Sequence, residues 1–358
     1  MRPGENARTS FRKRNADAFS GERSMHRLIT VAGVLPALLI GSMATAQVPQ
    51  GEIDAHIAAA RTAAGMNYRN TFINLCLPSP PRPATARPLG AGGVLVVPEP
   101  DRANWYAPPF KVFDNLYWLG TRQHSSWALR TSAGIIIIDT NFAWATHPEI
   151  IDGLTKLGLN PRDIKYVVLS HAHGDHDQGV AELQKLYGAH VIMGAPDWAS
   201  TVARPATVPG GVPKQDISVG RDGYTLTLGD ETMKIIATPG HTPGTLSYVF
   251  PVKNKGKEVM VAYSGGTLTG QFGKDAARWD EYIASQQALA AAAKAVDASV
   301  ILSNHSEYDD AYTRARLISA PRQVGEGHPF VSSPQEVQNY FTVMTECATA
   351  SKLRAAAL

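Results

Sequence analysis

Val168-Leu169-Ser170-His171-Ala172-His173-Gly174-Asp175-His176 sets four side chains able to bind a metal into six positions, directly behind a buried apolar strand. A strand that runs into a tight glycine-containing turn can aim all four at one point. His171 and His173 are two apart and project to one side while the strand direction persists. Asp175 and His176 follow on the turn into the next helix. Imidazole nitrogens with a carboxylate suit zinc. A helix cap with scattered polar residues would explain Asp175 alone and leave three histidines unaccounted for.

Two further stretches share that arrangement. Ala237-Thr238-Pro239-Gly240-His241-Thr242-Pro243-Gly244 follows a strand pattern at 233–237, and its prolines and glycines make a rigid turn that presents one imidazole. Val300-Ile301-Leu302-Ser303-Asn304-His305 is again a buried strand that ends in a histidine. Outward from these, strand patterns fall at 112–119, broken at the turn dipeptide Asp114-Asn115, and at 127–130, 135–138, 164–169 and 190–193, with helices expected at 147–157 and 178–187. The second half repeats the rhythm, with strands at 224–228, 233–237, 247–250, 259–263 and 299–302. Its helices are expected at 275–295 and 334–353. The chain therefore reads as α/β, with two mixed sheets packed face to face and helices outside. Histidines at successive strand ends would then share one rim.

Apolar residues make up 44% of the 358 and charged residues 18%, so collagenous and disordered readings fall away. The net charge of +3 is concentrated at the start. Residues 1–46 hold seven of the 34 basic and three of the 31 acidic residues, which leaves 27 against 28, or −1, for the rest. No basic excess remains to hold phosphates, and nucleic-acid binding loses its electrostatic motive. His26 and Arg27 precede the apolar run Leu28 to Met43, and Ala44-Thr45-Ala46 is a small-x-small cleavage site before Gln47. Residues 1–46 thus read as a signal peptide, with Met25 as an alternative start. Periplasmic export and no stable membrane anchor follow as expectations. Residues 47–109 read as a helical arm and a proline-rich wrap, and 110–358 as the main domain. Cys76 and Cys347 are a fair disulfide candidate in an oxidising compartment, against the alternative of two buried thiols.

The His171-x-His173-x-Asp175-His176 pattern, with His241 and His305 behind it, resembles the metallo-β-lactamase superfamily. That resemblance implies an αββα sandwich and two Zn²⁺ ions, one held by His171, His173 and His241, the other by Asp175, His176 and His305. It also implies a role for Asp139, at the end of strand 135–138, beneath the site, where a plain strand-end cap is the alternative. Glyoxalase II-type relatives carry a bridging Asp where this chain has Gly265 and Gly266, and no cysteine lies near to act as a ligand. Five histidines and one aspartate are most similar to subclass B3 zinc β-lactamases. The expected activity is then β-lactam hydrolysis by metal-activated water, conferring antibiotic resistance, with Asp175 doubling as a proton shuttle. The strand end at Gly265 and Gly266 is expected near the second zinc, with open space beside His305.

Substrate contacts are sought among Gln123, His124, Ser126, Thr267 and Thr269, with Trp144, His147 and Gln271 as further rim residues. The stretch 195–223, rich in proline and glycine, reads as a mobile loop over the mouth. His26, His56, His190 and His328 lie away from the motif and are read as non-ligands. The expected partner is a small molecule, bound by a monomer. An exported hydrolase of the same fold acting on a lactone or other ester is the main alternative, and a zinc-binding protein without turnover is a third reading.

Overall fold

The structure is a computed structural model, and it describes residues 50–77, 98–267 and 272–357. The expected signal segment, most of the proline-rich wrap, Thr269 and Gln271 lie outside the described residues. Twelve strands among the described residues form two sheets. The first orders β1 (Phe110–Lys111), β2 (Leu116–Trp118), β3 (Trp127–Thr131), β4 (Gly134–Ile138), β5 (Ile164–Val168), β6 (His190–Gly194) and β7 (Ile217–Val219) in sequence. The second runs β12 (Val300–Ser303), β11 (Lys257–Ser264), β10 (Leu246–Asn254), β9 (Glu231–Ala237) and β8 (Tyr224–Leu228). Strands β1 to β4 pair antiparallel and β4 to β7 parallel. In the second sheet only β11 and β12 pair in parallel.

The period-two rule explains why these strands are apolar throughout. Ile136 and Ile138 of β4 face the space between the sheets, where they meet Val168, Tyr248, Phe250, Val261, Tyr263 and Leu302. Their neighbours Ile135 and Ile137 face the other way, against Ile150, Leu154, Val180 and Leu183 of the flanking helices. Across the sandwich, Val249, Ala262 and Ile301 face outward onto Leu289, Val337, Phe341 and Met344. Each central strand is thus covered on both faces.

The topology decides where the chemistry sits. Strands β4, β5, β9, β11 and β12 all end at one rim. Leu246 of β10 pairs Ala237 at the end of β9, and Tyr263 of β11 pairs Leu302 of β12. The loops after those five strands carry Asp139, His171 to His176, His241, Gly265–Gly266 and His305.

Several local expectations need correction. The arm is two helices, Gln50–Ala64 and Arg69–Cys76, packed on the C-terminal helix Pro334–Ala357. The stretch 195–223 is not one loop. It contains the helix Ala195–Val202 and β7, because Pro196 fits the first turn of a helix and Trp198 is fully buried. No helix among the described residues is long and apolar enough to cross a membrane.

Cys76 and Cys347 are bonded, with Cα atoms 4.5 Å apart, and tie the arm to the C-terminal helix. The bond joins residues 271 apart in sequence, for which chain entropy assigns about 5–6 kcal/mol. Replacing both with serine should lower the thermal midpoint by several degrees. Alkylation in denaturant without reductant should label neither cysteine of the native chain; labelling of both would refute the bond.

Glu149 lies buried in the wide helical turn Thr146–Ile151, where Oε1 accepts from the Ala107 N–H (3.2 Å) and Oε2 has no partner. Burial pushes its pKa up to about 8, against smaller opposing effects of that bond, Arg102 and Lys156. A carboxyl with a raised folded-state pKa contributes stability below its unfolded value, near 4.5, and loses it as pH rises through 8. Glu149→Gln should therefore flatten the fall in stability between pH 5 and 9. Urea midpoints across that range test it; an unchanged slope would contradict the burial argument.

Candidate metal centre

Three imidazoles converge from the loops after β5 and β9. His171 Nε2 lies 3.0 Å from His173 Nδ1, and His241 Nε2 lies 3.1 Å from each of them. A tetrahedral zinc with Zn–N bonds of about 2.0–2.1 Å holds its nitrogens roughly 3.3 Å apart, so the triangle fits that ion closely. The tautomers agree. His171 Nδ1 donates to the Gly265 carbonyl (3.0 Å), which leaves Nε2 as the lone-pair atom facing the triangle. Burial, then the neighbouring imidazoles, holds His171 well below the usual histidine pKa. Burial likewise lowers His173 to about 4. Both are neutral near pH 7, so no proton competes for those lone pairs.

A second group adjoins the first, the His171 and His176 rings being 4.4 Å apart. His176 Nε2 and His305 Nε2 are 3.1 Å apart, and each lies 3.4 Å from Asp175 Oδ2. Asp139 supports this group from below. Its carboxylate accepts from Ser170 N and Ser170 Oγ (both 2.7 Å) and Tyr263 OH (3.0 Å), and Oδ2 lies 3.1 Å from His176 Nδ1. Asp139 is fully buried and sits at φ 59°, a conformation aspartate tolerates better than most residues. Burial alone would lower the His176 pKa, but the charges of Asp175 and Asp139 override it and raise it to about 10. Burial opposes ionisation of Asp175, yet His176 and His305 hold it well below the usual carboxylate range.

The loops are braced from outside. Asp197 accepts from Ala172 N (2.8 Å), Thr242 Oγ1 (2.8 Å) and Gly244 N (2.9 Å), stapling the two loops of the first group. Arg204 bonds the Ala172 carbonyl and Asp177, both at 2.6 Å. Arg278 donates to the carbonyls of Gly240 (2.8 Å) and His241 (2.6 Å). Asn304 Nδ2 shares the Gly265 carbonyl with His171. None of these braces has a local signature, since each partner lies far away in sequence.

Gly265 and Gly266 supply no ligand side chain, but they do not border open space beside His305. They lie beneath the first group. A Cβ on Gly265 would fall 1.7 Å from the Leu246 carbonyl oxygen, and one on Gly266 would fall 2.6 Å from His241 Cβ. Glycine is required there for close packing of backbone and ring, and a bridging acid has no room.

The substrate candidates divide. Gln123 is exposed on the rim and donates to Glu307 (3.3 Å). His124 stands beside the second group, with Nε2 3.7 Å from Asp175 Oδ2; His124, Asp175 and His305 are themselves a cluster able to hold a metal. Spacing gave no sign of that. The sign is structural: His124 and His305 pair in an isolated antiparallel bridge. Ser126 is not a substrate contact. It is fully buried, and its hydroxyl donates to the Asp139 carbonyl (2.8 Å). Thr267 is likewise buried, with Oγ1 toward Asn304 and its carbonyl accepting from Tyr282 OH. Trp144 stacks on Phe142, whose ring meets His124 edge-on. His147 pairs with Glu182 instead (3.1 Å). His56, His190 and His328 are engaged elsewhere, by Glu346, Asp216 and the Val112 carbonyl.

Comparison with known proteins agrees with this geometry. The Metallo-beta-lactamase superfamily matches residues 119–254. Among solved structures, BJP-1, a subclass B3 metallo-β-lactamase of Bradyrhizobium japonicum, is 29% identical, with a TM-score of 0.58 over 71% of this chain and 97% of that one. The Rm3 metallo-β-lactamase is 25% identical, with a TM-score of 0.59 over 70% and 95%. Curated relatives point elsewhere. The N-acyl homoserine lactonase AttM of Agrobacterium fabrum is 29% identical over 33% of this chain and 48% of its own length. A hydroxyacylglutathione hydrolase of Acidiphilium cryptum is 34% identical over 24% and 31%. The chain thus spans less than half the length of these two curated relatives. By its sandwich, its histidine-rich rim and these matches, the chain has the metallo-β-lactamase fold, one that implies a metal centre, and among solved structures of that fold it is similar to those of subclass B3.

Proposed function

We propose that the chain is a periplasmic hydrolase with two zinc ions that opens the amide of β-lactam antibiotics and so confers resistance. The observation that carries this reading is the pair of adjoining groups, five histidines and one aspartate, with no acid between them. His171, His173 and His241 would hold one ion, and Asp175, His176 and His305 the other. When bound, the metals would polarise the substrate carbonyl and bring a water toward ionisation near neutral pH. Asp139 fixes the His176 ring, and the Gly265 carbonyl fixes that of His171. Asp175, kept anionic by its histidine neighbours, can take up a proton at its carboxylate during turnover. His173, Asp175 and His305 are only half-buried, so a small anionic substrate could reach a site that two bound cations would make net positive. The Cys76–Cys347 bond supports an oxidising compartment.

The lactonase reading has its own support in the match to AttM. The two are separated by turnover of imipenem and nitrocefin beside a panel of acyl-homoserine lactones, with and without chelator. Chelator-sensitive lactam hydrolysis supports the proposal. Efficient lactone opening without any lactam hydrolysis would replace it with the alternative.

A further inference from the structure

The ring of His124 stands where a further ligand of the second metal would stand, and its hydrogen bonding argues for another role. The backbone holds it firmly. Ser125 N donates to the Asn304 carbonyl (2.9 Å) and Ser306 N to that of Gln123 (2.8 Å), so residues 123–125 and 304–306 are laid side by side. The Phe142 ring meets the imidazole edge-on, 5.1 Å away. Nδ1 lies 3.2 Å from Thr121 Oγ1. That oxygen already accepts from His124 N (2.9 Å) and Gln123 N (3.2 Å).

A threonine hydroxyl has two lone pairs and one hydrogen. Both lone pairs are taken by backbone N–H groups, so what remains for His124 Nδ1 is the hydroxyl hydrogen. Nδ1 is then an acceptor, and the ring proton resides on Nε2. The contrast with the ligand histidines is direct. His171 Nδ1 donates to a carbonyl and His176 Nδ1 faces a carboxylate, the arrangement that frees the other nitrogen for a metal. His124 has the opposite arrangement. Its Nε2 lies 3.7 Å from Asp175 Oδ2, too far for a hydrogen bond between them, and an acceptor is wanted at that nitrogen.

We propose that His124 is a substrate-binding residue rather than a ligand: Thr121 sets its tautomer, and its Nε2–H donates to a carboxylate oxygen of the substrate beside the second metal. This rests on the hydrolase reading above and names the group the substrate must present there. An anionic bicyclic lactam carries such a carboxylate next to the scissile bond; a neutral lactone does not.

The test has two parts, read on the whole protein. Side-chain ¹⁵N correlation spectra of the zinc-loaded chain should show His124 neutral, protonated at Nε2 and bare at Nδ1, and Thr121→Val should mix the two tautomers. His124→Gln should keep the full metal equivalents of the wild type while raising KM for nitrocefin roughly tenfold or more, with kcat and lactone KM moved much less. An unprotonated, metal-shifted Nε2, or loss of one metal equivalent in His124→Gln, would overturn the proposal and make His124 a ligand. An absence of wild-type turnover would count against the hydrolase reading alone, because ring protonation and metal content are measured without substrate.

Discussion

His241→Ala should lose metal from the first group and lower kcat/KM on the order of a thousandfold, the scale of removing a principal electrostatic element from an active site. The nitrogen triangle with sides of 3.0–3.1 Å is the reason. Two of its corners alone leave a site that water can complete only weakly. The fold should survive, because Arg278 and Asp197 bind the backbone and neighbours of His241 rather than its ring. Metal content by mass spectrometry and turnover should fall together. Full metal content with full activity would remove His241 from the centre.

Asp139→Asn should cost both stability and metal affinity, for one cause. The carboxylate accepts three hydrogen bonds and faces His176 Nδ1, all out of contact with water. An amide replaces one acceptor oxygen with an NH₂: at Oδ1 it meets the Ser170 N–H, which can only donate, and at Oδ2 it removes the acceptor that faces His176 Nδ1, so at least one buried polar group loses its partner. Such a loss costs about 1–3 kcal/mol, and more where a charge is involved. Without the carboxylate His176 is no longer oriented, and affinity at the second group should fall about 10–100-fold. Calorimetric titration with zinc against the wild type checks this. A variant with unchanged affinity and an unchanged thermal midpoint would return Asp139 to the plain strand-end role.

The sandwich and the six rim residues could be read from sequence for a physical reason. A strand covered on both faces must be apolar throughout, as in Ile135–Ile138 and Val300–Leu302. A polar cluster directly behind such a run can only lie at the sheet's end. The rest depends on partners far apart in the chain. Ser126 looks like a loop residue beside Gln123 and His124, and its burial against Asp139 follows from the pairing of β3 with β4. Gly265 and Gly266 read as missing side chains; only their nearness to Leu246 and His241 reveals that no side chain would fit. The helix Ala195–Val202 was hidden by the prolines and glycines around it, although Pro196 marks its first turn. The place of His124 beside His305 arises from a single backbone bridge that no local pattern announces.

The proposed function depends on the six residues dividing into two adjoining metal sites. Anomalous diffraction at the zinc edge, from crystals of the purified protein grown with zinc, tests it most directly. Two peaks are expected, one among His171, His173 and His241 and one among Asp175, His176 and His305. A single peak shared by both groups, or zinc bound away from these residues, would contradict it.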